Sequence, residues 1–330
     1  MSLSEKDKIM MDTMYWWGVP TLFRCENDSK LENCDIALVG VPHSSGNGTT
    51  ERDQHLGPRA LRHISAGLRR VHLEFNIDPW KKNKINDIGD VPLPEANNNE
   101  RCIERIKDFF YKISISNKRV VSIGGDHSIT GGIIQGLANK NSLLTNGDQV
   151  NLIQFDAHTD TYENLDHFLG AKRSAAHWAS YLVKEGYVDA KSSTQIGIRG
   201  NPRTLDWLKP SYDLGYQVIT MEEYKKLGLK KCKEMILNRL DDKPIYITFD
   251  LDCLDPNIAP AVSNLEPSFN GFNMDEVKNI LQGLKGKNII GGDVVCLMPT
   301  KDLPNNITSM VAGSIMFELI CLISHYLNNK

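Results

Sequence analysis

Leu152-Ile153-Gln154-Phe155 runs without a break into Asp156-Ala157-His158-Thr159-Asp160. A short apolar run of strand character ends in a cluster of metal-capable side chains. The pattern recurs twice. Val120-Val121-Ser122-Ile123 leads into Gly124-Gly125-Asp126-His127, and Tyr246-Ile247-Thr248-Phe249 leads into Asp250-Leu251-Asp252. In an open α/β sheet, ligands bind just beyond the carboxyl ends of the strands, which is where all three clusters fall.

Outward from these stretches, short β-branched runs alternate with longer amphipathic ones. Strands are expected at Asp35–Val41, Arg119–Ile123, Val150–Phe155, Gln195–Ile198, Gln217–Thr220, Ile245–Phe249 and Ile289–Val295. Helices are expected at Pro58–Gly67, Ile129–Ala138, Ala175–Glu185, Lys230–Leu240, Met274–Leu284 and Ile307–Leu327. Asn273 before Met274-Asp275-Glu276 has the character of an N-cap. The alternation implies an α/β fold, a mostly parallel sheet with helices on both faces. Glu95–Arg101 and Asn141–Asp148 read as loops, residues 1–34 as an N-terminal arm, and residues 35–330 as one catalytic domain. The aromatic run Tyr15-Trp16-Trp17 is expected to pack on the core or on a neighbouring subunit.

Composition narrows the function classes. The chain has 330 residues, 41% hydrophobic and 24% charged, with a formal net charge of -3. That balance offers nothing for nucleic acid or an acidic membrane surface to bind. Seven scattered cysteines form no CxxC pair, which fits reduced thiols rather than a zinc knuckle or disulfide scaffold. The N-terminal run MSLSEKDKIMMDTMYWW lacks the apolar core of a signal peptide. The apolar stretch Ile315–Leu327 carries Glu318 and His325 and is too short to span a bilayer. A cytoplasmic protein is expected.

The spacing suggests how the clusters converge. In extended backbone, residues i, i+2 and i+4 point the same way, which would gather Asp156, His158 and Asp160, and likewise Asp250 and Asp252. Any one cluster alone has an ordinary reading as a polar loop, an Asx turn or a cap. Together with His127 they make four carboxylates and two imidazoles, a concentration of charge that needs cations to balance it. The donor set is oxygen-rich with imidazole and no thiolate. It suits two manganese ions, with iron, cobalt, nickel or zinc as alternatives. Such a pair activates water as a nucleophile near neutral pH.

On these residues the chain resembles the ureohydrolases, the arginase and agmatinase family. The strings GGDHS (Gly124–Ser128), DAHTD (Asp156–Asp160) and FDLDCLDP (Phe249–Pro256) carry the resemblance, in the family's order. DAHTDTY (Asp156–Tyr162), QIGIRG (Gln195–Gly200) and GDVV (Gly292–Val295) resemble the agmatinase-like branch. The resemblance implies an arginase-like three-layer α/β/α sandwich assembled as a homo-trimer or hexamer. It implies hydrolysis of a small guanidine to urea and an amine. One ion would be held by His127, Asp156, Asp160 and Asp250, the other by Asp156, His158, Asp250 and Asp252. Asp160 would also carry a proton to the leaving amine, and His177 matches the family's proton shuttle. Thr161, Cys296 and Glu266 are the implied substrate-binding positions. Asp126, Asp255 and Arg59 read as structural, and His167 as a solvated loop residue.

Two departures from the family pattern bear on the substrate. Where the agmatinase-like branch places a glutamate that pairs with the guanidinium, this chain has Cys296, a weak and nearly neutral hydrogen-bonding group. Where the family has a glycine- and threonine-containing loop ending in Pro-Glu, this chain reads Ala261–Phe269, AVSNLEPSF. Glu266 is either the loop glutamate retained or a compensating anion. The expectation is an active hydrolase of atypical specificity. The alternatives are an ordinary agmatinase or guanidino-acid hydrolase, and a weakly active or non-catalytic metal-binding subunit of a hetero-oligomer. A phosphoesterase reading of a two-metal site finds no phosphate-gripping loop.

Overall fold

Strands that read as unbroken apolar runs need cover on both faces, which a parallel sheet between two helical layers supplies. The computed structural model describes residues 4–47, 51–162, 170–202, 204–267 and 270–329. Among them, eight strands form one sheet: β1 (Ile36–Val41), β2 (Ile85–Asp90), β3 (Arg119–Gly124), β4 (Asn151–Phe155), β5 (Thr194–Ile198), β6 (Gln217–Thr220), β7 (Ile245–Asp250) and β8 (Ile289–Val295). Their order is β2-β1-β3-β8-β7-β4-β5-β6, and every neighbouring pair is parallel.

Alternate residues feed two separate cores. Ile36 and Leu38 of β1 join one apolar cluster, while Ala37, Val39 and Val41 join the other. The period of two in a strand divides them. Helices Gly57–Ile64, Met274–Gln282 and Ile307–Asn328 contribute Leu61, Val277 and Ile315 to the first cluster. Helices Asn99–Ile115 and Ile129–Leu137 contribute Ile103 and Ile133 to the second. The result is a three-layer α/β/α sandwich. Helix Ile307–Asn328, at 22 residues, is long and apolar enough to cross a membrane, but Ala312, Ile315, Met316 and Leu319 are buried inside the fold. Its Glu318 is accommodated by His72, whose Nε2 lies 3.0 Å from Oε2.

The topology sets the site. β3 and β4 follow one another in sequence but are not neighbours; β8 and β7 fill the two places between them. The carboxyl ends of β3, β8, β7 and β4 therefore lie side by side, and three of them lead into the clusters read from the sequence.

Several elements differ from the sequence reading. Glu95–Arg101 is not all loop, because a 17-residue helix starts at Asn99, capped by Asn98 accepting from the Arg101 amide at 3.1 Å. Its buried face, Cys102, Ile103, Ile106, Phe110 and Ile113, has helical spacing that the polar start obscured. β2 (INDIGD) lacks an apolar run because it is an edge strand whose buried Asp87 is held by Arg62, Nε to Oδ2 2.8 Å. The segment read as an arm is anchored at its second half: Leu22, Phe23 and Cys25 lie in the core, and the Leu22 amide donates to Asp87 Oδ2 at 2.9 Å. Trp16 and Trp17 are 69% and 63% exposed, so they do not pack on the core of this chain. His167, Ser268 and Phe269 lie outside the described residues.

Candidate metal centre

Each strand end is bent so that its carboxylates and imidazole face inward. After β3 the backbone crosses close to a neighbouring loop. A Cβ at Gly125 would stand 2.1 Å from the His43 carbonyl oxygen, so only glycine fits. Asp126 then accepts from the Gly46 and Ser128 amides at 2.8 and 3.0 Å, which fixes the turn that aims His127. The clusters after β4 and β7 do not converge by extended geometry. Asp160 has φ +50°, and Asp250 and Asp252 are joined by the tight turn Leu251–Cys253. Asx bonds hold both bends: the His158 amide donates to Asp156 Oδ1 at 2.7 Å and the Asp252 amide to Asp250 Oδ1 at 2.9 Å.

The six side chains nonetheless meet. His127 Nδ1 lies 2.9 Å from Asp156 Oδ2, 3.0 Å from Asp160 Oδ2 and 3.2 Å from Asp250 Oδ2. His158 Nδ1 lies 3.4 Å from Asp156 Oδ1 and 3.1 Å from Asp252 Oδ2. Two groups result that could each hold an ion, His127–Asp156–Asp250 and Asp156–His158–Asp252, with candidate ligand atoms within 4.8 Å of one another in each. Asp156 belongs to both.

The residues fit divalent cations on a specific observation. His127 Nδ1 is buried and makes no hydrogen bond, although three carboxylate oxygens surround it. Its other nitrogen explains the orientation. Nε2 lies 2.9 Å from Thr248 Oγ1, and that hydroxyl donates its one proton to Asp293 Oδ1 at 2.5 Å. In the neutral ring Nε2 is therefore the N–H, so once Nδ1 gives up its proton its lone pair points among the carboxylates, where a cation would sit. Thr130 and Tyr246 donate to Asp293 Oδ2 at 2.9 and 2.7 Å, completing a buried network behind the ligand.

Charge is unevenly shared among these groups. Burial, reinforced by Asp156, pushes Asp160 up to about 6. Burial with Asp252 and Asp156 pushes Asp250 up to about 7. Asp252 is also raised, by burial against the opposing pull of His158. For Asp156, burial is outweighed by His127 and His158, which hold it below the usual carboxylate range. Burial disfavours charge on both imidazoles, yet Asp156 beside His127 and Asp252 beside His158 lift them well above their ordinary value. A cluster in which carboxylates retain protons and imidazoles gain them is one that cations displacing those protons would relieve.

A cleft of about 970 Å³ reaches the centre past His158 and Asp160, with Tyr162, Arg199 and Glu266 in its wall. Other residues expected in contact with substrate are placed differently. Thr161 is fully buried, bonded to Thr159 Oγ1 and Ser211 Oγ at 3.1 and 2.8 Å, and the adjacent Tyr162 takes the wall position. Cys296, at φ +67°, does not line the cleft, and burial beside Asp250 and Asp252 raises its thiol well above the ordinary range. The thiol is held in its protonated form, away from the cleft wall. His177 does not line the cleft either, where Ala175 and Ala176 do, and its Nδ1 is bonded to Ser174 Oγ at 2.7 Å. Glu266 reaches the cleft, but its Oε1 is 2.8 Å from His158 Nε2.

Sequence reasoning passed over four contributors. Gln154 Nε2 donates to Asp156 Oδ2 at 2.8 Å, and Trp178 Nε1 donates to Asp160 Oδ2 at 2.7 Å. Arg199 Nη2 bonds the carbonyls of Asp252 and Leu254 at 2.7 and 3.0 Å. Thr248 supports His127 as described. Gln154 and Thr248 each precede a ligand aspartate by two positions, so the strand period already placed them on its face.

An all-parallel sheet that gathers carboxylates and imidazoles at the ends of three strands, below an open cleft, fits a metal-dependent hydrolase. The chain belongs to the arginase family, whose sequence profile matches residues 34–321. It is 34% identical to a mitochondrial guanidino acid hydrolase of Homo sapiens, over 92% of this chain and 82% of that protein. It is 33% identical to a mitochondrial agmatinase of Gallus gallus, over 93% and 86% of the two chains. Among solved structures, a proclavaminate amidino hydrolase from Streptomyces clavuligerus superposes with a TM-score of 0.84 at 26% identity, covering 94% of this chain and 99% of that one. The chain is accordingly a hydrolase of C–N bonds in linear amidines.

Proposed function

We propose that this hydrolase holds two manganese ions and cleaves a small guanidine to urea and an amine. The observation that carries the reading is His127 Nδ1, buried and without a hydrogen bond among three carboxylates. His127, Asp156, Asp160 and Asp250 would hold one ion, and Asp156, His158, Asp250 and Asp252 the other. When bound, two such ions supply a water nucleophile at neutral pH and positive charge against the developing tetrahedral centre. The oxygen-rich, thiolate-free donor set favours manganese, with nickel, cobalt, iron or zinc as competitors.

The chain's own residues do the rest. Asp160 stands at the cleft with Oδ2 fixed by the Trp178 indole. It takes the proton of the attacking water and delivers it to the departing nitrogen. The cleft wall, with Tyr162 and Arg199, receives the substrate's tail.

The specificity we propose is atypical. Position 296 offers a buried, protonated thiol outside the cleft wall, and Glu266 commits Oε1 to His158, so little carboxylate pairing is left for a guanidinium. A substrate held mainly by the metal centre and by its tail fits this arrangement. The two relatives differ in tail, since one is named for guanidino acids and the other for agmatine.

Urea release from manganese-loaded protein tests the reading, with agmatine, arginine, 4-guanidinobutyrate, 3-guanidinopropionate, methylguanidine and guanidine as substrates and Asp160→Asn as control. Turnover of at least one compound, abolished in the control, is expected. No urea from any of them would contradict it.

A further inference from the structure

Glu266 reaches the cleft, but its carboxylate contacts a candidate metal ligand. It lies 108 residues from His158 in sequence, yet its Oε1 is 2.8 Å from His158 Nε2. The same ring turns Nδ1 toward Asp156 and Asp252. An imidazole that gives one nitrogen to a carboxylate partner presents the other as a lone pair of fixed direction. His127 obtains that orientation from the buried Thr248. The His158 side chain is 24% exposed against 2% for His127, so water would compete for its outer nitrogen if Glu266 were not there.

The surroundings are built around this contact. Glu266 has φ +49°, a left-handed conformation that a non-glycine residue adopts only when its neighbours impose it. Arg199, whose Nη2 is tied to the Asp252 and Leu254 carbonyls, reaches the Glu266 carbonyl with Nη1 at 3.3 Å. Gly200, at φ +98°, leaves the space that the carboxylate fills. A Cβ there would stand 2.0 Å from Glu266 Oε2 and 2.9 Å from its Cδ.

We propose that Glu266 is a positioning residue of the metal centre, its carboxylate accepting the Nε2–H of His158 so that Nδ1 faces the second ion, with Gly200 keeping the space that allows it. The proposal rests on the two-ion reading above. It assigns Glu266 to metal affinity rather than to substrate binding.

Calorimetric titration of the metal-free protein with Mn²⁺ tests it, comparing wild type with Glu266→Gln, Glu266→Ala, Gly200→Ala and the Gly200→Ala/Glu266→Ala pair. Wild type should bind two ions. Glu266→Ala should weaken one of them by about 10- to 100-fold, the range for losing the partner of a ligating histidine. Glu266→Gln should fall between, because the amide oxygen still accepts from His158. The double variant should be no weaker than Glu266→Ala, since both changes break one contact. At saturating Mn²⁺, Glu266→Gln should keep the wild-type KM for whichever guanidine is turned over. Two ions bound by Glu266→Ala with wild-type affinity would overturn the proposal, as would a loss confined to KM. If Gly200→Ala fails to fold, the two Glu266 variants decide alone. Fewer than two ions in wild type would instead contradict the two-ion reading.

Discussion

The carboxylate of Asp156 stands between the two imidazoles, Oδ2 at 2.9 Å from His127 Nδ1 and Oδ1 at 3.4 Å from His158 Nδ1. The Gln154 amide and the His158 backbone amide lock it there, at 2.8 and 2.7 Å. One side chain therefore contributes to both candidate ion positions, and its removal should be felt at both.

Asp156→Asn is accordingly expected to lower bound manganese from two ions to at most one per chain and to reduce kcat by about a thousandfold or more, the scale of removing a principal electrostatic element. Metal content after desalting, measured beside urea release, checks this. Two ions retained would show that Asp156 does not bridge.

The pH dependence has a definite sign. Asp160 and Asp250, pushed up to about 6 and 7, and the raised Asp252 keep protons in the metal-free fold that they release in the unfolded chain. Such groups contribute stability that is complete below their unfolded value near 3.8 and is lost as pH rises through their folded values. Bound cations require the deprotonated forms, so their stabilising effect grows over the same window. The rise in Tm produced by Mn²⁺ should increase from pH 5 to pH 8. A flat or falling difference in thermal-shift assays would count against the assignment.

Thr248 links His127 to Asp293 through bonds of 2.9 and 2.5 Å. Thr248→Val keeps the shape but leaves a buried N–H without an acceptor, at a cost of about 1–3 kcal/mol. Manganese affinity should fall by about 10- to 100-fold. Denaturant unfolding of the metal-free protein and metal titration read these two effects separately; unchanged values in both would mean that the network does not orient His127.

Trp178 donates to Asp160 from Nε1, and its ring lies 4.7 Å from that of His127. Trp178→Phe preserves most of the packing and deletes the donor. The expected result is a fall in kcat on the order of 10-fold with little change in KM, because the proton carrier loses its fixed orientation. A rise in KM with kcat intact would place the indole in substrate binding instead.

The sheet and the ligand-bearing loops were legible because fully buried parallel strands read as unbroken apolar runs, and here three of them lead into acids and histidines. Local geometry was less so. The alternation rule brought Asp156, His158 and Asp160 together for the wrong reason, since Asp160 sits at φ +50° beyond a turn held by an Asx bond. Thr161, read as a substrate contact, is turned inward by Ser211, some 50 residues away. The contact between Glu266 and His158 spans 108 residues and depends on space left by Gly200, which no local pattern encodes. Helix Asn99–Ile115 carried a readable apolar period, masked by its polar first turn.

The central claim, that the ends of β3, β4 and β7 hold two divalent ions, is tested most directly by anomalous diffraction from crystals grown with Mn²⁺. The account predicts two peaks about 3.5–4 Å apart, one bonded by His127 Nδ1 and the other by His158 Nδ1, with Asp156 between them. A single peak, or peaks away from these nitrogens, would contradict it.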